Sequence, residues 1–234
     1  MESKEFNFNA FIEDSKQALL NPREYFSTMS TEGGFGPPII KAVIYGGIAG
    51  IFALLWGLFR VTATGGIFGG TIFGPALGLM AFISAIIGAL IGLFIGALII
   101  MLLVSIAGGK TEFEPIIHVT AALMVITPVS AFMNIFSIIH PFLGSLIILC
   151  LNLYMLWMLY NAMTLRLNAS VDTSKTIMYV LGGILVFFFI VGLFTSRISR
   201  STMRRMQNYE HSHHINSLPQ KTFTDFHSIP QNIS

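Results

Sequence analysis

Five long runs of apolar residues dominate the chain between Pro37 and Ser196. A helix of about 20 apolar residues crosses the hydrocarbon core of a bilayer, so each run predicts one membrane-spanning helix. The runs contain no Asp or Glu, and Lys41, near one end of the first run, is their only cation. The sequence therefore predicts an all-α membrane protein, a bundle of five transmembrane helices, with spans over residues 39–59, 76–107, 116–138, 141–165 and 176–195.

A short polar segment precedes the first run and carries its own helical pattern. Apolar residues recur there at helical spacing, namely Phe8, Phe11, Ile12 and Leu19, which predicts a short amphipathic helix. A second short helix is expected with Asn21 as its N-cap, Pro22 as its first residue and Glu24 completing a capping box. This N-terminal segment is expected to pack on its own bundle or to lie in the membrane interface, and both can hold together.

Composition favours one membrane-embedded bundle over two domains. Of the 234 residues, 54% are hydrophobic and 10% are charged, against roughly 25% charged residues in soluble domains. We expect a polar N-terminal segment over 1–36, the five-span domain over 37–196, and a basic, then poorly ordered tail over 197–234. The net charge of +2 indicates no nucleic-acid partner, and the single cysteine, Cys150, leaves no intrachain disulfide. No cleavable signal peptide is recognised.

Span two carries small residues four positions apart on one helical face: Ser84, Gly88, Gly92 and Gly96. Ala81, Ala85 and Ala89 extend an adjacent stripe. Small residues let a second helix backbone approach closely in lipid. The face therefore predicts helix packing, either inside the bundle or between two copies of the chain. At 1.5 Å per residue, the predicted span is roughly 48 Å long, so it is tilted, protrudes from the bilayer or begins as a re-entrant piece.

Spans three and four hold most of the polar residues expected within the membrane: His118, Thr127, Asn134, Asn152, Tyr154 and Asn161. Polar side chains in lipid need hydrogen-bond partners. One interpretation is hydrogen bonding between helices of the bundle, and the other is a small polar cavity for a head group or a solute. Pro128 in span three removes a backbone donor and frees the carbonyl of Met124.

The tail begins with cations that share one helical side: Arg197, Arg200, Arg204 and Arg205. Next to a span, such a cluster predicts contact with anionic lipid head groups, or a charge anchor that stops translocation. Basic loops prefer the cytoplasm, but the two sides of a five-span layout carry about equal numbers of basic residues. The charge pattern therefore leaves the orientation open.

Sequence motifs of enzymes are not found. The chain has no HExxH motif, no GxSxG motif and no pair of carboxylates within a span. Ion-coupled transporters place ionisable residues within the bilayer, and none lies centrally here. The glycine-rich segment from Gly65 to Gly74 lacks the ending of a phosphate-binding loop and is typical of an interfacial turn. We therefore assign no catalytic, cofactor-binding or metal-binding residue and expect a protein that is not an enzyme.

Two stretches of the chain resemble a known family. The first stretch resembles the start of the Yip (Ypt-interacting protein) domain. It consists of Asn-Pro-Arg-Glu-Tyr-Phe from Asn21 to Phe26, a glycine-rich loop, and Pro37-Pro38 before span one. The turn from Gly108 to Phe113, followed by a helix containing Pro128, is similar to the family's turn between spans two and three. The resemblance covers about residues 15–195 and implies a multi-pass bundle with a cytosolic N-terminus.

Eukaryotic members of this family are associated with Rab-type GTPases and with Golgi and endoplasmic-reticulum traffic. The short N-terminus, the long tail and the lack of a DLYGP-type signature look more like a prokaryotic member. The resemblance then implies residence in the plasma or inner membrane.

Two functional interpretations follow from the sequence. The first is a non-enzymatic membrane scaffold that contacts the lipid bilayer, a protein partner not identified by the sequence and, through span two, a second copy of itself. The second is a passive channel, transporter or lipid scramblase that uses the polar stripes of spans three and four.

Overall fold

The computed structural model describes residues 8–63 and 74–216 of the chain. Within these residues the regular structure is helical throughout. The α-helices are α1 (Phe8–Leu20), α2 (Pro22–Thr28), α3 (Gly36–Ala63), α4 (Gly74–Ile106), α5 (Phe113–Leu123), α6 (Ile126–Met133), α7 (Ile135–Ile139), α8 (Pro141–Asn161) and α9 (Val171–Asn216). A π-helical turn, Ala162–Arg166, extends α8.

The predicted fold class is confirmed, because five helical segments of the described residues are long and apolar enough to cross a membrane. Spans one to five are Gly36–Gly57, Phe82–Ile106, Phe113–Ile139, Pro141–Arg166 and Val171–Leu193. The predicted interfacial turn from Gly65 to Gly74 falls almost entirely in residues 64–73, which lie outside the described residues. The predicted domain boundaries at residues 36 and 196 stay predictions.

The chain divides into two compact units, Met1–Phe187 and Phe188–Ser234. The first unit contains the N-terminal helices, spans one to four and the beginning of α9. The described part of the second unit is helical up to Asn216. Residues 217–234 lie outside the described part of the chain.

Spans one and two pack closely through small residues. A Cβ atom placed on Gly46 would lie 2.6 Å from the Cβ of Ala89, and one on Gly50 would lie 2.8 Å from the ring of Phe82. Such distances leave no room for a side chain. The glycines of span one therefore allow its backbone to touch the alanine stripe of span two.

Span three is one membrane crossing built from three short helices. Pro128 has no N–H to offer the carbonyl of Met124, which instead accepts a hydrogen bond of 2.9 Å from Thr127 N–H. The first helix of the span accordingly ends at Leu123 and the next begins at Ile126. The predicted release of the Met124 carbonyl thus coincides with a break in the helix.

The turns after spans two and four are joined by backbone hydrogen bonds. The N–H of Lys110 donates to the carbonyl of Leu167 over 2.7 Å, and the N–H of Ser170 donates to the carbonyl of Ala107 over 2.9 Å. A Cβ atom on Gly109 would lie 2.7 Å from that same Leu167 oxygen. The close approach of the two turns therefore depends on a glycine and places both turns on one side of the bundle.

The core of the first unit lies around α5. Every residue from Ile116 to Leu123 is buried, as are Phe26 of α2, Leu93 of span two and Met158 of span four. Large apolar side chains such as Ile87 of span two are exposed on the outside. An apolar exterior of this kind on helices of membrane-spanning length is typical of a surface that contacts lipid.

Candidate functional site

The two N-terminal helices pack against the bundle and form part of its core. Phe11, Ala18, Tyr25 and Phe26 are buried, and Ser15 shares a hydrogen bond of 2.8 Å with the hydroxyl of Tyr45 in span one. This packing agrees with one of the two interpretations of the amphipathic pattern. The predicted membrane-interface contact of the same segment stays a prediction.

The predicted start of α2 is correct, but its predicted capping box is wrong. Pro22 is the first residue of α2 and Asn21 precedes it, yet Asn21 makes no side-chain cap hydrogen bond. Asn21 instead contributes its backbone carbonyl, which accepts from the N–H of Tyr25 over 3.0 Å. The burial of Pro22, Tyr25 and Phe26 positions the turn without a side-chain cap.

Lys41, the one cation in the apolar runs, anchors the N-terminal helices. Its ammonium group lies 3.0 Å from the carboxylate of Asp14 on α1 and 3.5 Å from the hydroxyl of Tyr25 on α2. Burial, and secondarily the negative charge of Asp14, raise the pKa of Tyr25 above its usual 10.0. Tyr25 therefore stays neutral and donates or accepts hydrogen bonds as a phenol throughout the physiological range.

The loop that leads into span one is held by the start of span three. The N–H of Gly34 donates to the carboxylate of Glu114 over 2.7 Å, and His118 Nε2 lies 2.9 Å from the carbonyl oxygen of Gly34. A carbonyl can only accept, so Nε2 of His118 carries the proton. Gly33 and Gly34 have φ angles of +116° and +72°, which glycine adopts without strain.

Span four supplies two further contacts to the same segment. Arg166 donates to the hydroxyl of Thr31 over 2.5 Å, and Thr31 is buried. The hydroxyl of Tyr154 donates to the backbone carbonyl of Leu19 at the end of α1. We call Asp14, Lys41, Glu114, His118, Tyr154 and Arg166 the polar anchor, since these side chains join the N-terminal segment to spans one, three and four.

Four of the six sequence-predicted polar residues divide into two groups. His118 and Tyr154 belong to the polar anchor, whereas Asn152 and Asn161 each donate over 2.8 Å to the carbonyl four residues earlier in their own helix. The structure differs here from the expected bonding between helices. A side-chain amide within one helix can donate to the second lone pair of the carbonyl on the preceding turn, so no second helix is required.

Thr127 and Asn134 lie toward the other end of span three. The carbonyl of Thr127 accepts from the Ser130 hydroxyl over 2.9 Å, and Asn134 lines a cavity of about 220 Å³ with Trp56 and Ala131. The Trp56 indole donates to the Ala131 carbonyl over 2.8 Å. The predicted residues are therefore not gathered at one site.

The predicted small-residue face of span two is open at its two central glycines. A Cβ atom on Gly88 or Gly92 would have no described atom within 4 Å, while one on Gly96 would lie 3.1 Å from the methyl of Thr120. Ser84 is exposed and takes part in an interaction of its own. Packing between copies of the chain through this face stays a prediction.

The arginine cluster lies in the helical part of the second unit. The backbone of Arg197, Arg200, Arg204 and Arg205 belongs to α9, but their side chains lie outside the described residues. The predicted head-group contact stays a prediction. No group of His, Cys, Asp and Glu side chains in the described residues has the arrangement of a metal site.

Four contacts of the site were not predicted from the sequence, and one had a recognisable signal. Each of these contacts joins segments that are distant in the chain, and the side chains that make them are Lys41, Glu114, Arg166 and Trp56. Glu114 and His118 are spaced four apart, so they share a helical face at the polar end of a span. That spacing marks a paired contact, but it does not identify the loop that the pair holds.

The fold and the anchored N-terminal segment define a multi-pass integral membrane protein. A family model described as the Yip1 domain matches residues 16–196. Because the match covers most of the 234 residues, the chain belongs to the Yip1 domain family, as its resemblance predicted. No match was found among curated proteins or among solved structures. The expected prokaryotic origin and plasma or inner membrane location stay predictions.

Proposed function

We propose that this Yip1-domain protein is a non-enzymatic membrane-organising scaffold whose N-terminal segment contacts lipid. One observation carries the proposal: α1 is docked and yet presents apolar side chains on its outer side. Phe8 is 58% exposed, Ile12 48% and Leu20 67%, while Phe11 and Ala18 on the other side are buried. An apolar outer face on a helix fixed at the end of a membrane bundle suits insertion into the lipid head-group region.

The ionisable groups near the membrane support the same proposal. Four of these groups form hydrogen bonds within or to the N-terminal segment, namely Asp14, Lys41, Glu114 and Arg166. The Asp14–Lys41 pair fixes α1, while Glu114 and Arg166 fix the loop that follows α2. A fixed N-terminal segment is what a scaffold needs. The scaffold is also proposed to assemble with a second copy through span two and to bind a protein partner.

The test measures lipid contact of α1 in proteoliposomes. A fluorophore is attached to a Lys16→Cys variant in a Cys150→Ser background, because the Lys16 side chain is 62% exposed and makes only a long ion pair of 4.0 Å. Quenching by brominated lipids should be strong, and a Phe8→Ser/Ile12→Ser double variant should lose most of it. Ile139→Ser, at the far end of span three and 71% exposed, is the matched control and should retain it. Weak quenching in the parent protein would contradict the proposed lipid contact.

A passive conduit is the second candidate, and the cavity at Asn134 favours it. One polar residue, Asn134, and one aromatic residue, Trp56, line that cavity beside small and apolar residues. Its volume is only about 220 Å³, and Asn161 is satisfied within its own helix. Ion leak and lipid scrambling should be measured together in liposomes. Flux that exceeds empty liposomes and disappears in an Asn134→Leu/Asn161→Leu variant would favour the conduit over the scaffold, and flux equal to empty liposomes would favour the scaffold.

A further inference from the structure

The outer surface of spans four and five contains an open apolar groove within the first unit. It has a volume of about 620 Å³, within the range of roughly 300–1,000 Å³ that is typical of ligand sites. Its walls are Leu153, Leu156, Trp157 and Tyr160 of span four and Lys175, Met178, Tyr179, Gly182, Gly183 and Val186 of α9. The wall is apolar except near Lys175 and the two tyrosines.

The groove has a polar mouth and an apolar floor. Lys175 lies one turn inside α9, and Val186 lies eleven residues further along the helix. At 1.5 Å per residue this is about 16 Å, roughly half the 30 Å hydrocarbon core of a bilayer. The groove therefore extends from the head-group level to about the bilayer centre, the length of one leaflet.

The charge at the mouth is available for a ligand. Lys175 is exposed and forms no ion pair with any residue that the structure describes, including Asp172 one turn earlier. The hydroxyls of Tyr160 and Tyr179 belong to the same wall, and Tyr179 is 79% exposed. An ammonium group with neighbouring hydroxyls complements the phosphate of a lipid head group.

Two glycines provide the floor. A Cβ atom on Gly182 would make only ordinary contacts of 3.8 and 3.9 Å with Leu153 and Leu156, and one on Gly183 would have no described atom within 4 Å. The missing side chains therefore leave the groove open without being required for helix packing. This arrangement distinguishes the groove from the Gly46 contact, where a side chain would collide.

We infer that this groove binds one anionic glycerophospholipid, with an acyl chain along Gly182, Gly183 and Val186 and the phosphate at Lys175. The inference does not depend on the scaffold proposal, since it concerns another surface and another ligand contact. Its occupant is a lipid because the groove has the length of one leaflet, an apolar floor and a cation at the interface.

The test uses the full-length protein in nanodiscs of phosphatidylcholine with a trace of phosphatidylglycerol that carries a photoactivatable group in its acyl chain. Crosslinks should concentrate in the peptides that contain residues 153–160 and 178–186. Gly183→Phe should abolish them there, because the ring fills the groove. Gly192→Phe is the control on the same helix: a Cβ there also has open space, and the residue does not line the groove.

The role of charge is tested by substituting Lys175→Gln. It should weaken labelling about fivefold, the effect of one basic residue beside anionic lipid, while Lys110→Gln should change it little. In the unmodified protein, unlabelled phosphatidylglycerol should compete better than phosphatidylcholine. Equal competition by the two lipids, or crosslinks spread evenly over the lipid-facing surface, would overturn the inference. Disulfide-linked dimers of a Gly183→Cys variant, in place of lipid labelling, would assign the groove to a second copy and also overturn it.

Discussion

At the scale of single residues, the cation Lys41 is tolerated near the end of an apolar run because a neighbouring carboxylate compensates its charge. The Lys41 side chain is 20% exposed and lies 3.0 Å from the Asp14 carboxylate. A buried ammonium without a partner is strongly destabilising. The pattern of the runs singled out Lys41, but its partners were not predictable, since they belong to helices that fold back from the N-terminal side.

The first prediction concerns Tyr25 and high pH. The folded protein raises the pKa of Tyr25, chiefly by burial, so its contribution to stability is complete below pH 10 and falls as the pH rises above it. Each pH unit above that value should cost about 1.4 kcal/mol. Thermal unfolding in detergent between pH 8 and 11 should show a smaller decline for Tyr25→Phe than for the parent protein. Tyr179→Phe is the exposed control, and an identical decline in all three proteins would contradict the prediction.

At the scale of helices, the small residues show how far sequence reasoning extends. The five spans and the two N-terminal helices were predictable, because apolar length and helical spacing are local properties. The helix faces that contact each other were not predictable, because a stripe of glycines does not indicate which other helix packs against it. Span two was expected to pack through Gly88 and Gly92, whereas Gly46 of span one packs on Ala89 and Gly50 packs on Phe82.

The second prediction compares two adjacent glycines of span one. Gly46→Leu should destabilise the bundle by about 1–3 kcal/mol, the usual cost of overpacking, because Ala89 occupies the space. Gly47→Leu should be close to neutral, since a Cβ there has no described atom within 4 Å. The measurement is the free energy of unfolding in mixed micelles. Equal destabilisation by both variants would contradict the packing of spans one and two.

The third prediction concerns the joined turns. Gly109→Ala should lower stability by about 1–3 kcal/mol, because its Cβ would lie 2.7 Å from the Leu167 carbonyl oxygen and 3.0 Å from the Cα of Ala169. Gly108→Asn is the matched control: Gly108 has open space around it and a φ of +68°, which asparagine tolerates. Melting temperatures of the two variants check the prediction. A larger loss for Gly108→Asn would show that backbone conformation, and not contact between the turns, limits the site.

At the scale of the whole molecule, the described lipid-facing surface combines projecting apolar side chains with shallow depressions at glycines. Apolar side chains project along most of span two, while Gly88 and Gly92 leave a shallow strip in it. The membrane location was predictable from composition alone. The position of the groove between spans four and five was not, because it depends on which faces of two consecutive helices are turned toward each other.

The fourth prediction concerns assembly through that strip. Gly92→Leu should leave the unfolding of the single chain unchanged, because the new side chain meets open space, and should reduce self-association about tenfold, the effect of blocking close helix approach. Energy transfer between labelled copies in liposomes measures the association. Gly192→Leu adds the same bulk at another open position and should have no effect. Undiminished association in Gly92→Leu would exclude this strip as the interface.

The pairing of the two turns has a consequence for biosynthesis. Lys110 and Ala107 leave the ribosome well before Leu167 and Ser170, the residues to which they hydrogen bond. At roughly 5–20 residues per second, the first turn waits several seconds with those backbone groups unpaired. The two turns can therefore join only after Ser170 has been synthesised, so closure of this side of the bundle is a late step of its assembly.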